Sequence, residues 1–128
     1  MSAVLSEQEC LVCDRVGVGQ FYRELRQFGF KREVVLKILK CMATLYFKDP
    51  ILMAGKSRIT IKCAITYVCA TYLDYRITQR EISEFFHIHE SKSPELSSHA
   101  SFAPLYKVII SKYLPVVEQV LGYVSGRQ

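Results

Sequence analysis

Between Ser57 and Leu73 the chain is apolar on almost every helical face. Ile59, Ile61, Cys63, Ala64, Ile65, Tyr67, Val68, Cys69, Ala70, Tyr72 and Leu73 leave no polar stripe, and no Gly or Pro interrupts them. A helix that is apolar all round is one enclosed by others. The run is slightly short for a bilayer span and carries Lys62 and several threonines, so a core helix is expected. Ser57 is placed to cap its first turn.

The next pattern follows a polar break at Asp74-Tyr75-Arg76. Thr78-Gln79-Arg80-Glu81 has the spacing of a capping box, with Ile77 and Ile82 at the staple positions. It predicts a short helix from about Gln79 to about Phe86, with Ile82, Phe85 and Phe86 inward. Upstream, Phe21, Leu25 and Phe28 share one helical face and Gly29 stops that helix. Lys31 to Phe47 is strongly periodic through Val34, Val35, Ile38, Leu39, Met42, Leu45 and Tyr46, and Asp49-Pro50 ends it. Val4, Leu5, Leu11, Val12 and Val16 predict a short, weakly amphipathic first helix, with a break at Gly17 and Gly19.

Residues 89–100 are polar and serine-rich, which predicts a loop. A helix then resumes, with Ser101 as its cap and Pro104 in its first turn. Leu105, Val108 and Ile109 should face inward, leaving Tyr106, Lys107, Ile110, Ser111 and Tyr113 outside. Pro115 is expected to end it, with a final short helix over Val116 to Val124. The fold class is therefore all-α, with the 57–73 helix at the centre.

Composition narrows the partners. Half of the 128 residues are hydrophobic and 23% are charged, as in a globular domain rather than a disordered chain. The net charge of +5 mildly favours a polyanionic partner. No secretory leader pattern is visible, so an intracellular protein is expected. Cys41, Cys63 and Cys69 fall at core-like positions and should behave as small hydrophobes. Cys10 and Cys13 form a lone CxxC without the second pair that a zinc ribbon needs. His87, His89 and His99 with Glu90 sit in or beside the polar loop and read as solvated side chains. Neither metal nor cofactor is expected, and no arrangement of nucleophile, base and orienting group marks an enzyme.

Arg76, Gln79 and Arg80 crowd the start of the capped helix, where backbone amides and the helix dipole both favour an anion. They are the first candidates for phosphate contact.

Several of these segments together resemble a cyclin-type repeat of transcription factor IIB and its archaeal counterpart. They are QFYRELRQFGFKREVV, the helix that follows, GKSRITIKCAITYVCATYL and RITQREISEFFHI, covering roughly Gln20 to Leu114. The likeness is strongest to the second repeat. There a Gly-Lys-Ser precedes the central helix and an Arg-Thr-Gln-Arg-Glu opens a helix-turn-helix. Here the counterparts are Gly55-Lys56-Ser57 and Arg76-Ile77-Thr78-Gln79-Arg80-Glu81, with one extra residue, Ile77.

The resemblance implies a five-helix, cyclin-like repeat with a buried central helix, plus short N- and C-terminal helices. It divides the chain into an extension over residues 1–17 and a single domain over 18–128, with a helix-turn-helix at 78–114. It implies transcriptional work on duplex DNA: Arg76, Gln79 and Arg80 on phosphates, Lys107, Ser111 and Lys112 in or over the groove, and Lys56, Arg58 and Lys62 adding charge. The TATA-binding protein and RNA polymerase are implied partners, in a nucleus or an archaeal cytoplasm. Two departures stand out: the 89–100 insertion, and lysines where the family's recognition helix has arginines. They make room for a second expectation, an adaptor that binds a kinase, one of those factors or a second copy of itself.

Overall fold

The computed structural model describes the backbone of residues 17–91 and 102–122, and the side chains of 17–88 and 102–122. Six helices form there: α1 Val18–Phe28, α2 Arg32–Lys48, α3 Pro50–Met53, α4 Arg58–Tyr72, α5 Gln79–Ser91 and α6 Ala103–Leu121. No strand occurs among the described residues, so the all-α expectation holds. None of these helices is long and apolar enough to cross a membrane. The expected first helix, with Cys10 and Cys13, lies outside the described residues.

The chain divides into two compact units. Residues up to Gly55 join those from Pro115 on, and Lys56–Leu114 forms the other. Helix α6 contributes to both.

In the first unit, α1 starts after Gly17, whose φ of 76° only glycine adopts without strain. Gly19 does not break the chain as expected; it lies within the first turn of α1. The helix closes as a Schellman motif. The Gly29 amide donates to the Arg26 carbonyl and the Phe30 amide to that of Leu25, with Phe30 buried beneath the turn. Phe21 and Leu25 are fully buried, and Phe28 half-buried, on the face the periodicity marked.

Helix α2 buries Val35, Ile38, Leu39, Met42 and Leu45. Its start is poor: Lys31 gives no side-chain cap, and Lys31 and Arg32 add cations to the positive end of the dipole. Asp49 ends α2 and its carboxylate accepts from the Leu52 amide, capping α3. Lys37 Nζ donates to the Leu121 carbonyl at 3.0 Å, so it serves an orphan acceptor at the end of α6.

The second unit is built on α4. Its six residues from Ile61 to Thr66 are all buried, as are Val68, Cys69 and Ala70. Six consecutive residues cover more than one full turn, so the rod is enclosed on every side there. Its last turn opens: Thr71 is exposed and Tyr67 half-buried. Ser57 Oγ accepts from the Thr60 amide, as expected of the cap. Cys41, Cys63 and Cys69 are buried free thiols, also as expected. Lys62 is fully buried, which removes it from any surface charge patch.

Two later boundaries differ from expectation. Helix α5 runs on to Ser91, five residues past the expected end at Phe86. Helix α6 is two helical segments joined at a kink, so the first segment ends close to Pro115, as expected. The proline ring clashes with the preceding turn, and the distortion falls on Tyr113, with φ −125° and ψ 17°. The helix then resumes, burying Val117 and Leu121, and ends at Leu121, three residues before the expected end at Val124. The Ser101 cap lies outside the described residues, but Pro104 does fall in the first turn of α6.

Candidate nucleic-acid interface

The candidate site is made where α4 hands over to α5. Helix α4 ends in a second Schellman motif: Tyr75 N donates to the Ala70 carbonyl at 2.9 Å and Asp74 N to that of Thr71 at 3.1 Å. The left-handed position falls on Asp74, with φ 72°. This turn puts Tyr75 and Arg76 at the surface. Thr78 then caps α5 in a complete capping box. Its Oγ1 accepts from the Glu81 amide at 3.1 Å, and Glu81 Oε1 accepts from the Thr78 amide at 2.8 Å. Ile82 is fully buried and Ile77 half-buried at the staple positions.

Arg76, Gln79 and Arg80 line one open groove of about 660 Å³ there, together with Tyr67, Thr71 and Tyr75. Tyr67 is held in place by edge-on ring contacts with Phe102 and Tyr106, at centroid distances of 5.8 and 4.8 Å. Tyr106 was expected to face outward; its ring instead packs on Tyr67.

The charge balance at the groove is close. Arg76 is exposed and makes no hydrogen bond or ion pair among the described residues. Arg80 Nε donates to Glu84 Oε2 at 3.0 Å, both side chains well exposed. Such a pair contributes only ~0.3–0.5 kcal/mol, so a phosphate can displace Glu84. Glu81 is committed to the cap, where it offsets the dipole that an incoming anion would use. Along this stretch three carboxylates, Asp74, Glu81 and Glu84, outnumber the two arginines, so the field at this spot is weak.

The other expected contacts are spread out. Lys107, Ser111 and Lys112 are exposed on α6, and Ser111 Oγ donates to the Val108 carbonyl. Lys107 follows Tyr106, whose ring packs on Tyr67. Lys56 and Arg58 are exposed at the opposite end of α4, roughly 20 Å from Tyr72 at 1.5 Å per residue. The structure therefore unites three of the eight residues and leaves Lys56 and Arg58 remote. Of the expected 89–100 loop, residues 89–91 belong to α5 and the rest lies outside the described residues.

Sequence reasoning missed Tyr67, Thr71 and Tyr75. Their spacing of four was the available signal, since Tyr67 and Thr71 share one face of α4.

His87 is buried, and its Nδ1 donates to the Ser83 carbonyl at 2.8 Å, a bond within α5. The side chains of His89, Glu90 and His99 lie outside the described residues. Among the described residues no three metal-capable side chains gather.

No family model, no curated protein and no solved structure matches this chain.

Proposed function

We propose that the chain is a cyclin-repeat transcription regulator, similar to the second repeat of transcription factor IIB, that contacts duplex DNA at the start of α5. The observation that carries this reading is the groove in which Arg76, Gln79 and Arg80 converge, with Arg76 uncommitted. Lys107 and Lys112 on α6 extend the positive charge. Lys56–Leu114 as a whole has eight Lys and Arg against five Asp and Glu, a net of +3. Lysines and flexible arginines of this kind grip backbone phosphates; they do not read bases in a fixed geometry. The contact is therefore weak, salt-sensitive and indifferent to sequence, and selectivity comes from a partner such as the TATA-binding protein or polymerase.

The test is a salt titration of duplex binding, by fluorescence anisotropy, on the parent and on Arg76→Ala/Arg80→Ala. The slope of log affinity against log salt should flatten by about 0.9 for each phosphate contact removed, equally on unrelated sequences. Both side chains are exposed, so the fold should survive the substitutions. Loss confined to one sequence would contradict the assignment.

One observation favours a second reading. Phe47 and Ile51, at the junction of α2 and α3, are 57% and 81% exposed. Large apolar side chains so placed suit a protein contact, as in an adaptor that binds another factor or a second copy. Absence of any salt-sensitive duplex binding at low ionic strength would select the adaptor.

A further inference from the structure

We propose that the groove at the start of α5 takes an unstacked nucleotide, its base against Tyr67 and Tyr75 and its phosphate on Arg76. The site then prefers single-stranded or locally opened DNA to closed duplex. This rests on the reading above that the arginines hold phosphate.

The first argument is electrostatic. Arg80 is shared with Glu84, and Glu81 occupies the helix start that a phosphate would otherwise use. Asp74, two residues before Arg76 in the chain, adds a third carboxylate. Charge alone offers a nucleic acid little at this place, so binding there needs a contribution that is not ionic.

The groove also carries aromatic rings: two tyrosines line it along with the two arginines. Tyr67 is fixed by Phe102 and Tyr106, so it loses little freedom when a base arrives. Tyr75 is anchored through its backbone to Ala70 and has 36% of its surface in solvent. Aromatic side chains beside cations are how sequence-tolerant single-strand sites hold bases. The Gln79 amide adds both a donor and an acceptor, the complement that a base edge requires.

The third argument is access. In closed duplex the base faces are covered by their neighbours, and a ring in this groove could reach only sugar and phosphate. An unpaired base presents its face. A groove of about 660 Å³ is large enough to hold one.

The experiment compares the full chain on three labelled probes of one sequence: single strand, closed duplex, and duplex with a mismatched central bubble. Tyr75→Ala, Tyr75→Phe and the parent are titrated in parallel, with circular dichroism and thermal unfolding to show that each variant is folded. The parent should bind the single strand and the bubble about tenfold tighter than the duplex. Tyr75→Ala should lower single-strand affinity about tenfold, and by more than it lowers duplex affinity; Tyr75→Phe should keep it. Thymidine monophosphate should displace the strand far better than inorganic phosphate does.

Equal binding of bubble and duplex by the parent would overturn the inference. So would a Tyr75→Ala variant that matches the parent, or equal competition by inorganic phosphate. A phosphoserine peptide that competes as well as thymidine monophosphate would assign the groove to phosphorylated protein instead. Salt-sensitive duplex binding that needs Arg76 and shows no strand preference would leave the proposed function standing without the base pocket. Strand binding that needs Tyr75, with no duplex binding, would do the reverse.

Discussion

Thr66 and Asp74 each carry a local penalty. Thr66 is fully buried and its Oγ1 finds no hydrogen-bond partner among the described residues. A buried unsatisfied hydroxyl costs ~1–3 kcal/mol, while a methyl of the same shape costs nothing there. Thr66→Val should raise stability by about 1 kcal/mol, read as a higher urea midpoint at unchanged slope. A lower midpoint would mean that the hydroxyl has a partner. Asp74 holds a left-handed conformation at the negative end of α4, so both its Cβ and its charge are unfavourable. Asp74→Gly should add about 0.5 kcal/mol after the extra freedom of the unfolded glycine is counted. Thermal unfolding checks the sign, and a fall in midpoint would show that the aspartate has a structural partner.

Boundaries set by neighbouring residues were legible at the level of the element. Ser57, the Thr78–Glu81 box and Gly29 act through bonds within four or five residues, and all three form as the spacing indicates. The break at Pro115 is local too: the kink at Tyr113 parts α6 into two helical segments. Boundaries set by tertiary burial were not legible. Helix α5 overran its expected end for want of a local stop between Phe86 and Ser91. The same division holds for the groove. Arg76, Gln79 and Arg80 were visible through the cap they flank. Tyr67 sits in a helix apolar on all sides, where the pattern does not say which face is least covered. The start of α2 gives an element-scale prediction. Lys31→Asp supplies the missing cap and reverses a charge at the positive dipole end, so it should stabilise by about 1 kcal/mol. Chemical denaturation measures it; no gain would mean that the uncapped amides already have partners.

At the scale of the molecule, the chain passes between its two units at Gly55–Lys56 and at Leu114–Pro115. Both crossings coincide with irregular backbone: Gly55 has φ 78°, and the α6 distortion falls at Tyr113. A Cβ built on Gly55 meets nothing within 4 Å, so a side chain there has room but the wrong torsion. Gly55→Ala should therefore cost about 1 kcal/mol through backbone strain alone. A thermal midpoint equal to the parent's would show that this crossing relaxes freely. The all-α character of the described residues was readable from periodicity. The division into units was not, because it depends on which distant segments meet.

The discontinuity of the first unit has a consequence for the order of folding. Lys56–Leu114 is one uninterrupted stretch, so that unit closes on contacts within it. The first unit begins before that stretch and finishes after it. Phe21, Leu25, Val35 and Ile38 share a unit with Val117 and Leu121, all of them buried. The Lys37 ammonium likewise serves a carbonyl 84 residues away. Sealing the first unit thus means closing a long loop, which is slow, and until then its apolar side chains stay open to chaperones or to self-association.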